Sequence, residues 1–297
     1  MVQPLFVVNI GLHGDEYDAS LCFYNLLRPF LVNRYPDSSF LLLPQLSEWC
    51  VRHRFRFDPE LVDLNRLFVP ACSDFFYPGL APFESPYVSP VSSELLTAID
   101  TFIRSSPLHS FSAIESCLAS IHHSLLSLPI FFSMAQSTSP GLPGFNLSSN
   151  PSQYFSRCNA FLDSIVQSFL LHNHSHLVLL DLHSGVGSPA ELSLGEIYHP
   201  AIATPSPLVR QGTYLSYLYH ALATLLPVAP LCLSLEIGTF GSYEAMCFLF
   251  QELQARRGLC SQPSAFKPSR HWCSQVSLSL DSGLSTHVLP LIAEAFT

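Results

Sequence analysis

Leu177-Val178-Leu179-Leu180-Asp181-Leu182-His183-Ser184-Gly185-Val186-Gly187 is an apolar run that ends in an acid, a histidine and a glycine-rich turn. The run at 177–182 has no polar face, so as a strand it must be covered on both sides, the condition of a parallel sheet held between helices. The same texture recurs on either side of it. Residues 5–10 (LFVVNI) end at Gly11, 39–43 (SFLLL) end at Pro44, and 231–237 (LCLSLEI) end at Gly238. Helical spacing lies between these runs, at 15–27 with Pro29 as its stop, at 154–171 and at 206–225. Further helices are predicted at 243–256 and at 283–296, the latter kinked at Pro290. Strand, helix and strand in alternation predict an α/β chain: a three-layer α/β/α sandwich around a mixed, mostly parallel sheet. The chain reads as a single domain over 1–297, with a Pro/Ser-rich insertion at about 68–156 that holds helical patterns at 93–103 and 110–126. Residues 133–154 are its most loop-like piece.

Composition narrows the function. The 297 residues are 48% hydrophobic and only 12% charged, which excludes a disordered or coiled-coil chain. The formal net charge is -9 and Lys267 is the single lysine, so no basic face is on offer and nucleic acid is excluded as a partner. No apolar stretch reaches the roughly 20 residues that a membrane span needs. The first residues lack the basic region and small-residue cleavage site of a signal peptide, and the nine cysteines form no C-x-x-C pair. The expectation is a soluble, cytoplasmic protein whose cysteines are small buried hydrophobes.

Polar residues gather where the predicted strands end. Gly11-Leu12-His13-Gly14-Asp15-Glu16 places a histidine and a glutamate three apart at a strand-to-helix turn, a spacing that can grip one metal ion. His183 ends a second strand, and ligands of open α/β sheets sit beyond the carboxyl ends of strands. Glu236 lies inside an apolar run, where a carboxylate is costly unless paired or used. Two histidines and a glutamate form a zinc set with an open position, and a further carboxylate beside it is a candidate general base. Val62-Asp63-Leu64-Asn65-Arg66 gathers an acid, an amide and a guanidinium, and Asn65 with Arg66 can clamp a substrate carboxylate.

Together GLHGDE, VDLNR, DLHSGVG and EIGT, in that order, resemble the zinc carboxypeptidase superfamily, which includes carboxypeptidase A and the succinylglutamate desuccinylase and aspartoacylase deacylases. The likeness is greatest to a bacterial carboxypeptidase-like branch, whose mid-chain Gln and Pro-Gly turn are similar to Gln136 and Pro140-Gly141, and whose Pro-rich tail is similar to Phe266-Lys267-Pro268 with Trp272. The resemblance implies one Zn2+ per chain held by His13, Glu16 and His183. It implies that Asp63 fixes the His13 ring, that Glu236 takes a proton from the attacking water and returns it to the leaving amine, and that Arg56 stabilises the oxyanion, with Arg52 and Arg54 as rivals. Asn65 and Arg66 would hold the substrate's carboxylate. The implied activity is hydrolysis of an amide bond next to a free carboxylate, in a peptide or an N-acyl amino acid. An N-acyl-amino-acid deacylase and a catalytically silent carboxylate-binding relative are the alternatives. Departures from the pattern are visible. Many relatives have further strands and a helix before the first motif, and the deacylases usually have Arg and Pro after the catalytic Glu, where this chain has Gly238-Thr239.

Other residues read as structural. Tyr214 and Tyr217 fall near the mobile tyrosine of carboxypeptidase A, but their helical spacing reads as core packing. His172, His174 and His176 read as a solvated loop and His122-His123 as a helix surface pair. Ser184 lacks the Gly-x-Ser-x-Gly frame of a nucleophile elbow.

Overall fold

A computed structural model describes residues 3–60, 62–68, 70–80, 151–186, 188–202, 213–240, 252 and 268–296. The helices expected at 93–103 and 110–126, His122-His123, Gln136, Pro140-Gly141 and Phe266-Lys267 lie outside the described residues, as does nearly all of the helix expected at 243–256.

The chain runs β1 (Pro4–Ile10), α1 (Tyr17–Arg34), β2 (Ser39–Leu42), α2 (Glu48–His53), a 3-10 turn at Leu64–Arg66 and a second at Pro70–Phe75. It continues with α3 (Ser152–Leu171), β3 (His176–Val186), β4 (Leu192–Tyr198), α4 (Tyr214–Leu225), β5 (Leu231–Phe240), α5 (Arg270–Gly283), a π turn at Leu284–Val288 and α6 (Leu289–Ala295). The sheet order is β2-β1-β3-β5-β4. All pairs are parallel except the edge pair β4–β5.

Alternation along the strands feeds two cores. Leu5, Val7, Leu177, Leu179 and Cys232 point to one face and pack with Phe155, Leu162 and Ile165 of α3 and Leu218 of α4. Phe6, Val8, Val178, Leu180 and Leu233 point to the other and pack with Phe23, Leu27 and Leu31 of α1, Val276 of α5 and Ile292 of α6. Both faces are buried, which is why the strands read as unbroken apolar runs, and the fold is the expected three-layer α/β/α arrangement.

Several boundaries differ from the expectation. Helix α1 passes Pro29 and ends at Arg34, because Leu27 and Leu31 are both buried against the sheet and their packing outweighs the one backbone bond that proline forfeits. Strand β3 extends to Val186, since Ser184 and Gly185 still pair with Ile237 and Gly238 of β5. Strand β4 and helix α2 were absent from the sequence reading. Strand β4 is a short edge strand interrupted by Gly195-Glu196, and α2 is a single capped turn in which Ser47 Oγ accepts from the Cys50 amide. The C-terminal helical segment begins at Arg270, where Ser269 caps it by accepting from the Trp272 amide. Its irregularity is the π turn just ahead of Pro290, whose ring nitrogen has no hydrogen for the preceding turn. The Trp272 indole donates to the Gly238 carbonyl at 3.1 Å, which docks this tail on the end of β5.

No helix among the described residues is long and apolar enough to cross a membrane.

Candidate metal centre

Strand β1 has β2 on one side and β3 on the other, so the connections leaving β1 and β3 diverge and open a crevice at their carboxyl ends. The turn after β1 is built by its glycines. Gly11 sits at φ +75, where a side chain would also strike the Tyr17 ring. Gly14 presses on another segment: its amide donates to the Phe55 carbonyl at 2.9 Å. A Cβ there would lie 1.8 Å from the Cys50 carbonyl oxygen. Both obstacles are backbone and cannot rotate away. Gly14→Ala should therefore cost at least the upper end of the roughly 1–3 kcal/mol typical of overpacking, read as a drop in Tm. A Tm within a degree or two of wild type would show that the turn has slack.

This turn carries His13 and Glu16 into the crevice, where they meet His183 of β3. His13 Nδ1 is 2.9 Å from Glu16 Oε1, and His183 Nδ1 is 2.9 Å from Glu16 Oε2. The other ring nitrogens are held by acids: His13 Nε2 lies 3.0 Å from Asp63 Oδ1, and His183 Nε2 lies 2.9 Å from Asp181 Oδ2. Asp181 in turn accepts from the Asn9 amide at 2.6 Å. Each histidine thus has Nε2 held by a carboxylate and Nδ1 turned to Glu16, the arrangement in which a metal would take Nδ1 while Nε2–H stays on its acid.

Arg56 is the arginine that reaches this cluster. Its Nη1 donates to Glu16 Oε1 at 2.6 Å, and its Nε lies 3.6 Å from Asp63 Oδ2. Arg54 is engaged elsewhere, with Asp18 at 2.8 Å and with the Val51 carbonyl, and Arg52 is exposed. The backbone of the Arg56 segment is clamped by Glu252, whose carboxylate accepts from the Arg56 and Phe57 amides at 2.7 and 3.0 Å. Glu236 of β5 is the register partner of His183, so both side chains stand on the same face of adjacent strands. Asn65 turns its Oδ1 to the Tyr214 amide at 2.9 Å, which leaves its Nδ2 hydrogens for another acceptor. The Arg66 side chain lies outside the described residues.

The tyrosines follow the core reading. Tyr217 donates to Asn159 and accepts from the Tyr77 amide, and Tyr214 is fully buried against Phe68. The His172–His176 tract departs from the solvated loop expected of it. His174 is buried against the Gln3 carbonyl and His176 packs on Phe296, so the tract anchors the start of the sheet. The sequence reading assigned no role to Asp181, Asn9 or Glu252. A strand's period of two puts Asp181 on the same face as His183, and that signal was available. Glu252 is far from the motifs in sequence, and no local pattern links it to Arg56.

Charges at the centre are strongly coupled. Burial and Arg56 act to lower the His13 pKa, but the Glu16 and Asp63 carboxylates outweigh them and it is raised. Burial likewise opposes, and Asp181 with Glu16 more than overcome it, so that His183 is raised well above its ordinary value. Glu16 is held well below the usual carboxylate range, since the two histidines defeat the cost of burial. Burial, with Glu16 and Asp181 adding to it, raises Glu236 against the opposing charges of His183 and Arg56. Burial and the neighbouring Glu16 push Asp15 up to about 6.

The donor set fits zinc in kind and in spacing. One ligand atom from each of His13, Glu16 and His183 lies within 4.8 Å of the others. Around a tetrahedral ion with bonds of about 2.0–2.1 Å, nitrogen and oxygen donors stand roughly 3.3 Å apart.

Metal-stripped protein offers a test of this coupling. A depressed Glu16 contributes stability above its unfolded pKa of about 4.3, and raised histidines contribute it below about 6.5 and lose it as pH climbs through their folded values. Raised Asp15 and Glu236 also favour folding while they keep their protons. Tm of the stripped protein should therefore fall between pH 5.5 and pH 8, two values chosen to straddle the roughly 6.5 of free histidine. Zinc should restore it at the alkaline end, where its ligands need no proton removed. A Tm that is flat over that range, with or without zinc, would contradict the coupling.

No protein-family model matches the chain, and no curated protein matches it. Solved structures with similarity include a protein of Shewanella amazonensis provisionally named a metallopeptidase, at 11% identity over 96% of this chain and 77% of that one, with a TM-score of 0.40. A Shewanella baltica protein with the same provisional name gives 11% identity, 96% and 76% coverage and a TM-score of 0.40. A protein of Shewanella amazonensis provisionally assigned to the succinylglutamate desuccinylase/aspartoacylase family gives 15% identity, 91% and 68% coverage and a TM-score of 0.36.

Proposed function

We propose that this chain is a zinc-dependent hydrolase of the carboxypeptidase type, which cleaves an amide bond next to a free carboxylate. The observation that carries the reading is the convergence of His13 Nδ1 and His183 Nδ1 on the Glu16 carboxylate, with Glu236 in register beside His183. Held by His13, Glu16 and His183, a zinc ion would supply Lewis acidity at the scissile carbonyl and lower the pKa of a water towards about 7.

The chain's own groups do the rest. Asp63 and Asp181 keep the histidine protons on Nε2, so both Nδ1 lone pairs serve as ligands. Glu236 is the general base: its carboxylate takes a proton from the attacking water and carries it to the departing nitrogen. In the metal-free site burial raises its pKa, and a group that serves first as base and then as acid works best with a pKa near the working pH. Arg56 stays protonated, its charge reinforced by Asp63, Glu16 and Asp15 against the cost of burial, and it faces the carbonyl oxygen as negative charge develops. The Nδ2 of Asn65, which has no partner among the described residues, grips the substrate's carboxylate together with Arg66 and sets which amide is presented.

Two assays test the reading. Elemental analysis should find about one zinc per chain, and the loaded protein should release amino acids from C-terminal peptides or from N-acyl amino acids. Preference for the peptides would make it a carboxypeptidase, and preference for the small acyl compounds a deacylase. No metal after zinc is supplied would sink the hydrolase reading and leave a carboxylate-binding scaffold.

A further inference from the structure

The floor of the crevice holds a carboxylate that neither the fold nor the reaction above requires. Strand pairing sets Asn9, Asp181, Ser234 and Glu196 in one row across β1, β3, β5 and β4, one step below the row of His183 and Glu236. The next row down, Val7, Leu179, Cys232 and Tyr198, belongs to the apolar core. Glu196 is therefore the outer end of the last polar row before the core, on the face that carries Glu236.

Glu196 is 4% exposed, and burial of a carboxylate in such a place requires compensation. Only one of its oxygens receives any from the described residues: Oε2 accepts from the Tyr198 hydroxyl at 2.7 Å and from the Thr213 hydroxyl at 2.8 Å. No described lysine, arginine or histidine forms an ion pair with it. The start of α4 is close by but gives it no backbone donor, since the Tyr214 amide goes to Asn65 and the Ser216 amide to Thr213. Neither packing nor helix capping calls for this negative charge.

Its neighbours connect it to the reacting groups. Gly195 is so near Glu236 that a Cβ there would stand 3.3 Å from Glu236 Oε1 and 2.9 Å from Ser234 Oγ. The absence of a side chain at Gly195 keeps the space between Glu196 and Glu236 clear. On the far side, Thr213 holds Glu196 and the adjacent Tyr214 amide holds Asn65, so the acid and the proposed carboxylate grip meet at the same helix end.

We infer that Glu196 is a specificity residue: Oε1, which has no hydrogen-bond partner among the described residues, receives an ammonium or guanidinium group of the substrate, so the released amino acid is a basic one. This deepens the proposed function and rests on it for the identity of the pocket as a substrate pocket. A cation that enters a site built around a buried, otherwise unpaired carboxylate completes an ion pair there, and a neutral or acidic side chain leaves the carboxylate unsatisfied.

The test is binding of free amino acids to the purified protein by isothermal titration, with L-arginine, L-lysine, L-leucine and L-aspartate as probes. Arginine and lysine should bind at least about tenfold more tightly than leucine and aspartate. In Glu196→Gln the preference should shrink to within about threefold, with leucine still bound at least as well as by wild type as the sign that the pocket is intact. Equal affinity for all probes, no binding of any of them, or a preference that survives the substitution would overturn the inference. Failure of the hydrolase reading looks different: the preference for basic amino acids and its loss in Glu196→Gln would stand, and the zinc-supplied protein would cleave no amide.

Discussion

Glu236→Gln is expected to keep its metal and lose about 100- to 10,000-fold in amide hydrolysis, the usual worth of a positioned general base. The change is nearly isosteric, and Glu236 belongs to none of the hydrogen bonds that orient His13, Glu16 or His183. Metal content by elemental analysis should therefore match wild type, which separates loss of the base from loss of the site. The pH profile is a second readout. As a base Glu236 must be ionised, so kcat/KM in wild type should show an acid limb as Glu236 takes up a proton. That limb should vanish from whatever activity the variant retains. Turnover near the wild-type rate in Glu236→Gln would place the base elsewhere, and Asp15, raised to about 6 and next to Glu16 in the chain, would be the residue to examine.

Glu236 was legible as a candidate base because it interrupts an apolar run, and a charge in such a place demands a reason. The same logic found His13, Glu16 and His183 at strand ends, since the connectivity of a parallel sheet brings those ends together. Glu252 was not legible: it acts on the backbone of Arg56 and Phe57 from 195 residues away or more, and a contact with amide groups leaves no trace in the partner's residue type. Strand β4 escaped for a related reason. An edge strand has a neighbouring strand on one side only, and the register shift at Gly195-Glu196 breaks the alternation by which a strand is recognised. Pro29 misled in the opposite direction, because a local rule about helix stops yields when residues on both sides of it are buried. Motifs at strand ends are local and can be read; registers, edges and long-range clamps are products of the assembled sheet.

His183→Ala should abolish tight metal binding, leaving far less than the roughly one zinc per chain expected of wild type by elemental analysis. Removing a ligand is the coarse test, and Asp181→Asn is the sharper one. Asp181 accepts from both Asn9 and His183, which it can do only because a carboxylate has no hydrogen to direct. With Asn9 in its present orientation, an amide at that position satisfies the Asn9 donor with its oxygen and presents Nδ2–H to His183 Nε2. The ring can accept there only by moving its proton to Nδ1, which occupies the lone pair that faces Glu16 and the metal position. Zinc affinity should fall by about 10- to 100-fold, the range typical of lost outer partners, although no ligand has been touched. Asp63→Asn should act differently: a single oxygen, Oδ1, takes both the His13 ring and the Asn65 amide, so an amide oxygen can keep both contacts and what is lost is the charge beside Arg56. Comparing the pair separates tautomer control from simple charge. If charge alone mattered, both variants would lose zinc affinity alike, because each removes one buried negative charge beside a ligand histidine; if the proton's location matters, Asp181→Asn will lose clearly more than Asp63→Asn.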